Sequence, residues 1–344
     1  MTYKAEIPRR SAKRALLALL VSAGALWAQN EVPTFKVDTR EVDLNVSVTD
    51  KSGNQITGIP QTAFKVFENG VQQPIKDFIH LDVPVSMGII IDNSGSMRDK
   101  RASVNAASLA LVKASNPQDE VFIIGFNDTA YLDQDFTSDI KLLERALDKT
   151  ESRGGTLMRD SIHLALDHMK KYAKHDKKVL LIITDGNDNI SDETPEQLVR
   201  EARQSGVLIY TIGLLNEEDP KDKREAQRAL KNLAEASGGL DYYPKTLAEV
   251  ERVTPQIADE IRKQYLIAYT PTNSALDGTF RKVEVKLSGY GKANVRYRTG
   301  YYASPDAQSR TSGPSARDGV AKDGPQDEPS NSKSAPKPKS PNKK

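Results

Sequence analysis

The spacing of apolar residues changes character twice along the chain. From Glu41 to Asp50 apolar and polar positions alternate strictly, with Val42, Leu44, Val46 and Val48 on one face and Asp43, Asn45 and Ser47 on the other. That period predicts a half-buried strand. Asp50-Lys51-Ser52-Gly53 follows as a turn, then Phe64 to Glu68 and Val71 to Phe78 as two strands joined through Asn69-Gly70, a strong hairpin signal. This all-β segment holds too little material to close a core by itself.

From Val85 the texture becomes strand, helix, strand, helix. The unbroken apolar run Val85 to Ile91 predicts a strand buried on both faces, as do Glu120 to Phe126, Lys178 to Thr184 and Val207 to Leu214. Ala130 to Phe136 predicts an edge strand and Leu240 to Tyr243 a last short one. Between them helices are expected over Lys100 to Ser115, Ser138 to Leu147, and the stretch with Ile162, Ala165, Leu166, Met169 and Ala173 on one stripe. Thr194-Pro195-Glu196-Gln197 reads as a capping box opening a helix to about Ser205. Pro220 to Ser237 is a helix burying Ala226, Ala229, Leu230 and Leu233, with Gly238-Gly239 as its stop. Thr246 and Glu249 cap a final helix with Val250, Ile257 and Ile261 inward, and Pro255 is expected to break it in two. The alternation implies an α/β fold: a doubly wound, mostly parallel sheet with helices on both faces.

Beyond Lys263 the β pattern returns in Tyr265 to Thr270, Val283 to Leu287, and Val295 to Tyr301. The two β segments, residues 38–80 and 265–302, are each incomplete. They are expected to pack as one β-sandwich into which the α/β block, residues 82–264, is inserted. From Ser304 to Lys344 the chain carries almost no large apolar side chain, and a disordered tail is expected.

The amino terminus reads as an address. Lys4, Arg9, Arg10, Lys13 and Arg14 precede the apolar run Ala15 to Ala28, the pattern of an export signal over residues 1–28 cleaved after Ala25 or Ala28. Its 14 residues fall short of the roughly 20 that span a bilayer, so no stable membrane span is expected after cleavage. The expected location is periplasmic or extracellular, in a bacterium. Arg9-Arg10 lacks the apolar residue that twin-arginine export would place soon after the pair.

Composition removes several chemistries. Forty-nine basic and forty-seven acidic side chains leave a formal charge of +2, too balanced for a nucleic-acid or anionic-membrane partner. The absence of cysteine excludes disulfides, thiolate catalysis, zinc-thiolate sites and iron–sulfur clusters. Any metal must be held by oxygen or imidazole.

Hard oxygen donors gather where the predicted strands end. Asp92, Ser94 and Ser96 follow the first buried strand; Thr156 follows Arg153-Gly154-Gly155; Asp185-Gly186 follows the third buried strand. Loops at the carboxyl ends of parallel strands meet at one sheet edge, where ligands bind. Two carboxylates and three hydroxyls suit a hard divalent cation such as Mg2+, with Mn2+ or Ca2+ as alternatives.

Asp92-Asn93-Ser94-Gly95-Ser96, with Thr156 and Asp185-Gly186, resembles the metal-ion-dependent adhesion site of von Willebrand factor type A domains over about residues 82–264. The wider layout, ending in Tyr-Arg-Thr-Gly-Tyr-Tyr at 297–302, is similar to the von Willebrand factor A-related proteins of acidobacteria. The resemblance implies that Ser94 and Ser96 bind the ion directly, Thr156 directly in the ligand-engaged state, and Asp92 and Asp185 directly or through water. It also implies a non-enzymatic binding or adhesion protein, whose ion engages a Glu or Asp carboxylate of a protein partner. Gly95 and Gly155 are expected to let the backbone turn around the ion, and Asn93 and Met97 to support the loop.

Other polar residues read more plainly. His163 and His168 are five apart and do not share a helix face; with His80 and His175 they are expected to be surface or structural residues. Asp99, Asp160, Asp188 and Asp192 are read as solvated loop acids rather than supports of the ligands, and Tyr242, Tyr243, Tyr301 and Tyr302 as aromatics filling strand edges. One rival function is a Mg-dependent phosphatase or other hydrolase beginning at Asp92. Such an enzyme needs a second acid two residues on, where this chain has Ser94. Another is a scaffold with a purely structural metal. Partner identity and oligomeric state are not encoded in any motif.

Overall fold

The apolar run ending at Asp92 forms the centre of a sheet. In a computed structural model, which describes residues 41–304 apart from Leu81, Ser115, Thr150, Glu151, Asn187 and Glu217, strand β5 (Val85–Asp92) is buried at every position. It pairs in parallel with β6 (Glu120–Phe126) on one side and β8 (Lys177–Thr184) on the other. Strands β9 (Leu208–Gly213) and β10 (Asp241–Tyr242) continue the parallel sheet beyond β8, and β7 (Ala130–Thr137) runs antiparallel to β6 at the opposite edge. The order β10-β9-β8-β5-β6-β7 reverses direction around β5. That topological switch point is where α/β sheets bind ligands.

Among the described residues, six helices cover the sheet. On one face lie α1 (Arg101–Ala114), α2 (Ile140–Asp148) and α6 (Leu247–Lys263), packing Val104, Leu111, Leu143, Leu147, Val250 and Ile257 on Met87, Ile89 and Ile91. On the other lie α3 (Met158–Tyr172), α4 (Pro195–Ser205) and α5 (Pro220–Ser237), with Ile162, Leu166, Met169, Leu198, Leu230 and Leu233 against Ile90, Phe122 and Ile182. The even and odd positions of β5 thus feed two separate cores, which is why its sequence is apolar without alternation. The Thr194 capping box forms as read, and Gly206 and Gly238 end α4 and α5 in the left-handed conformation.

The flanking segments contribute β1 (Val42–Thr49), β2 (Phe64–Glu68), β3 (Val71–Gln73) and β4 (Ile75–Ile79) from the amino-terminal side. From the carboxyl side come β11 (Tyr265–Tyr269), β12 (Phe280–Leu287), β13 (Asn294–Arg296) and β14 (Gly300–Tyr302). They form two four-stranded sheets, β13-β1-β11-β4 and β14-β12-β2-β3. Both sheets draw strands from both sides of the α/β block: β1 pairs with β11 and β2 with β12. Val42, Leu44, Phe64, Val66, Tyr265, Ile267, Val283 and Val285 share one apolar cluster.

Three elements differ from the sequence reading. The expected strand Val71 to Phe78 is two strands in different sheets, divided at Pro74, which has no N–H to offer a ladder. Val295 to Tyr301 likewise divides into β13 and β14 of different sheets. Conversely α6 is one helix with Pro255 inside it. Pro255 faces solvent, so water can satisfy the carbonyl it frees, while buried Val250, Thr254, Ile257 and Ile261 hold both halves to the core. Residues 1–28 and the tail beyond Ser304 lie outside the described residues. Among the described residues no helix is long and apolar enough to cross a membrane.

Candidate functional site

Strand register brings the first and third oxygen clusters together. Ile91 pairs with Ile183, so Asp92 and Asp185 leave the sheet side by side. Both are 1% exposed. Asp92 is fixed from two directions: Ser94 N–H donates to its Oδ1 at 2.8 Å and Thr184 Oγ1 to its Oδ2 at 2.6 Å. Burial pushes its carboxyl up to about 6, against the pull of those bonds, and the neighbouring Asp185 charge adds to the rise.

After Ser94 the chain makes one 3-10 turn, Gly95–Met97, which seats Met97 in the core and leaves Ser96 exposed. Ser94 Oγ and Ser96 Oγ are 3.1 Å apart, and Ser96 Oγ donates to Asp185 Oδ1 at 2.8 Å. The other Asp185 oxygen accepts from Lys100 Nζ at 2.7 Å. Asp92, Ser94, Ser96 and Asp185 therefore form one connected group. Asn93 supports it from beneath: its Nδ2 donates to Tyr131 Oη at 3.0 Å, and its Oδ1 accepts from Arg101 at 3.0 Å.

Thr156, also buried, is brought to the same end through its backbone. Gly95 N–H donates to the Gly154 carbonyl at 3.1 Å and Arg153 N–H to the Asn93 carbonyl at 2.8 Å, stitching the second loop to the first. Thr156 N–H donates to Asn189 Oδ1 at 3.2 Å, and Asn189 N–H returns a bond to the Thr156 carbonyl at 3.3 Å, tying the second loop to the third. The glycine that this geometry demands is Gly154, at φ 77°, where an added Cβ would lie 2.0 Å from the Asp128 carboxylate. Gly95 has room for a side chain and an ordinary φ, so its expected role passes to Gly154.

Two of the four loop acids are organisers rather than solvated groups. Asp188, with a 1% exposed side chain, accepts from Arg159 N–H at 2.6 Å, Ser191 N–H at 3.0 Å and Ser191 Oγ at 2.6 Å. Asp160 accepts from the backbone of Asp192 and Glu193. Together they shape the loop behind Asp185. His80, His168 and His175 are structural, bonded respectively to Gly58, Asp135 and Gln118. Lys100 and Thr184 were not singled out from sequence. Thr184 directly precedes Asp185, and Lys100 stands four residues past Ser96, so adjacency was the available signal.

Residues 87–187 match the family model of the von Willebrand factor type A domain. The chain contains a von Willebrand factor type A domain. Such domains are modules of protein interaction and adhesion. Among curated relatives, the calcium-activated chloride channel regulator 1 of Sus scrofa is 28% identical over 169 residues, which is 47% of this chain and 17% of that protein. Its counterpart in Mus musculus is 28% identical over 166 residues, 45% of this chain and 16% of its own length. The chain thus spans less than a fifth of the curated relatives it matches. Among solved structures, a von Willebrand factor type A protein from Catenulispora acidiphila covers 78% of this chain and 74% of itself at 14% identity and TM-score 0.43. The vWF domain of the type V pili tip protein Mfa5 from Porphyromonas gingivalis covers 53% of this chain and 97% of itself at 15% identity and TM-score 0.44.

Proposed function

We propose that Asp92, Ser94, Ser96, Thr156 and Asp185 hold a hard divalent cation, Mg2+ foremost, and that the type A domain uses it to engage a Glu or Asp carboxylate of a protein partner. The observation that carries this reading is the charge of a built, connected group. Two buried carboxylates stand beside the hydroxyls of Ser94 and Ser96 at the switch point, with Thr156 tied to the same end through its backbone, and among the described residues the ammonium bonded to them is that of Lys100, on Asp185. A buried pair of like charges is costly unless a cation compensates it, and the donor set is all oxygen. Hydroxyl donors leave the ion electrophilic, and a carboxylate from outside supplies the charge-assisted bond that completes its shell.

We read the protein as a binding protein rather than a hydrolase. The second acid a phosphatase would need is Ser94, bonded to Asp92 through its N–H. The amino-terminal basic and apolar pattern supports a working place outside the cytoplasm, periplasmic or extracellular.

Isothermal titration of MgCl2 into the full chain tests the ion. Binding is expected in the natural protein and its loss in Asp185→Ala, with circular dichroism unchanged. Equal affinity in the two proteins overturns the assignment. Pull-down from envelope and medium, with and without EDTA, tests the partner. Capture that persists undiminished after chelation places the interaction elsewhere.

A further inference from the structure

We propose that Asp128, on the turn between β6 and β7, is a latch that sets the ion affinity of the Asp92–Asp185 group by fixing Thr156, an inference that rests on the ion reading of that group. Thr156 is preceded by Gly154 and Gly155, the residue type with the widest backbone freedom. A donor carried on such a segment binds weakly unless something else holds it, because each binding event must first order the loop. Asp128 supplies that hold from outside the loop.

The peptide unit joining Gly154 to Gly155 is held at both poles. Its carbonyl accepts from Gly95 N–H at 3.1 Å, and its N–H donates to Asp128 Oδ1 at 2.7 Å. The next two N–H groups are bonded as well: Thr156 donates to Asn189 Oδ1 at 3.2 Å and Leu157 to the Asn127 carbonyl at 2.9 Å. Three successive donors thus meet the β6–β7 turn, the loop after β8, and the end of β6. The bond to Asp128 is the shortest of the set and the one made to a carboxylate, so it is the strongest single restraint on the orientation of that peptide unit.

Sterics explain why the loop is built from glycine although a metal donor needs rigidity. A Cβ added at Gly154 would lie 2.0 Å from Asp128 Oδ2, and one at Gly155 would lie 3.1 Å from Asp128 Oδ1 and 3.3 Å from Asn189 Oδ1. The missing side chains are the space into which the carboxylate closes. The turn that carries Asp128 is braced in its own right: Asn127 is buried, its N–H donates to the Thr129 carbonyl at 3.0 Å, and its Oδ1 accepts from Thr129 N–H at 3.2 Å. Asn93 N–H donates to the Phe126 carbonyl at 2.6 Å. The end of β6 therefore carries both the first loop, with Asp92 and Ser94, and the latch on the second. Asp128 acts through the Thr156 loop, which makes it a positioning residue.

An acid near a cation has two effects, its charge and its hold on the loop, and two variants of the full chain separate them. Asp128→Ala removes both, whereas Asp128→Asn removes the charge and keeps an oxygen for Gly155 N–H. In calorimetry with MgCl2, Asp128→Ala is expected to bind about tenfold more weakly than the natural protein, and Asp128→Asn to recover most of that loss. Hydrogen exchange over residues 152–158, read by mass spectrometry without metal, is expected to quicken by roughly a factor of ten in Asp128→Ala and to stay slow in Asp128→Asn. Equal weakening of Mg2+ binding in the two variants makes the effect one of charge and overturns the latch. Unchanged exchange in Asp128→Ala overturns it whether or not the ion binds, as does unchanged Mg2+ affinity in that variant. A natural protein that takes up no Mg2+ removes the ion reading, and the latch with it. Asp128 is exposed, so both variants are expected to fold, and circular dichroism checks this.

Discussion

Lys100 is the residue at which the candidate site is most distinctive. Its ammonium bonds Asp185 at 2.7 Å, with side-chain exposures of 12% and 1%, and so stands beside the oxygen donors as a tethered cation. A metal entering the group meets that charge. At an effective dielectric constant of 20 two unit charges about 4 Å apart interact by roughly 4 kcal/mol, and part of this is relieved when the lysine swings outward. Lys100→Met is therefore expected to tighten Mg2+ binding about tenfold in calorimetry; equal or weaker binding would show that Lys100 does not oppose the ion. Close by, burial pushes the Asp133 carboxyl up to about 6, against Arg101 and the Gly125 N–H. A raised acid stabilises the fold fully below its unfolded value of 3.8, and that contribution is lost as pH climbs through about 6. Asp133→Asn, which keeps the acceptor without the charge, is expected to raise the urea midpoint at pH 7.5 and to change it little at pH 4. The five oxygen residues could be named as candidates from the sequence because each follows a strand or loop with its own pattern. Lys100 was not, because a lysine at the start of a helix is ordinary and only the fold brings it to Asp185.

At the scale of elements, α6 is held by more than its apolar stripe. Glu260, 5% exposed, accepts from Tyr210 Oη at 2.9 Å and Tyr242 Oη at 3.4 Å and pairs with Arg296 on β13. Gln264 donates to the same Tyr210 hydroxyl at 3.0 Å, and Lys177 Nζ donates to the Ile261 carbonyl. The last helix of the α/β block is thereby bonded both to its own sheet and to a flanking strand. Removing one partner of a buried pair strands the other, at a cost of about 3–5 kcal/mol. Arg296→Met is expected to lower unfolding free energy by roughly 3 kcal/mol, and adding Glu260→Gln to recover part of it, both read by urea denaturation. A loss under the additive sum of the two single variants is the signature of the pair. Most elements from Val85 to Lys263 were readable, since the central strands are unbroken apolar runs and the helices carry an apolar stripe or, like Pro195–Ser205, a capping box. The flanks were misread in detail because a chain that crosses from one sheet to the other, as at Pro74 and between Arg296 and Gly300, keeps the same period of two.

For the whole molecule, the decisive fact is where the cores lie. The α/β block has two apolar clusters of its own, one on each face of its sheet, while the flanking strands share a third that takes residues from both sides of the block. Residues 82–264 expressed alone are therefore expected to fold: the pair of Asp82 with Arg262 and the bond of Lys177 to the Ile261 carbonyl stay within the block, and Glu260 loses Arg296 but keeps the hydroxyls of Tyr210 and Tyr242. The melting temperature is expected to fall, since Arg296 no longer reaches Glu260 and Gly238. Mg2+ affinity is expected to match that of the full chain, because every group joined to Asp92 and Asp185 belongs to the block. Residues 41–79 alone are expected to remain unfolded: β1 loses β11 and β13, β2 loses β12, and Leu44, Val46 and Val66, all fully buried in the native structure, have nothing to pack on. Circular dichroism and calorimetry on the two fragments check both outcomes. A block that fails to fold would mean that the flanks complete its structure. A block that folds yet loses the ion would mean that they shape the loops around Asp92.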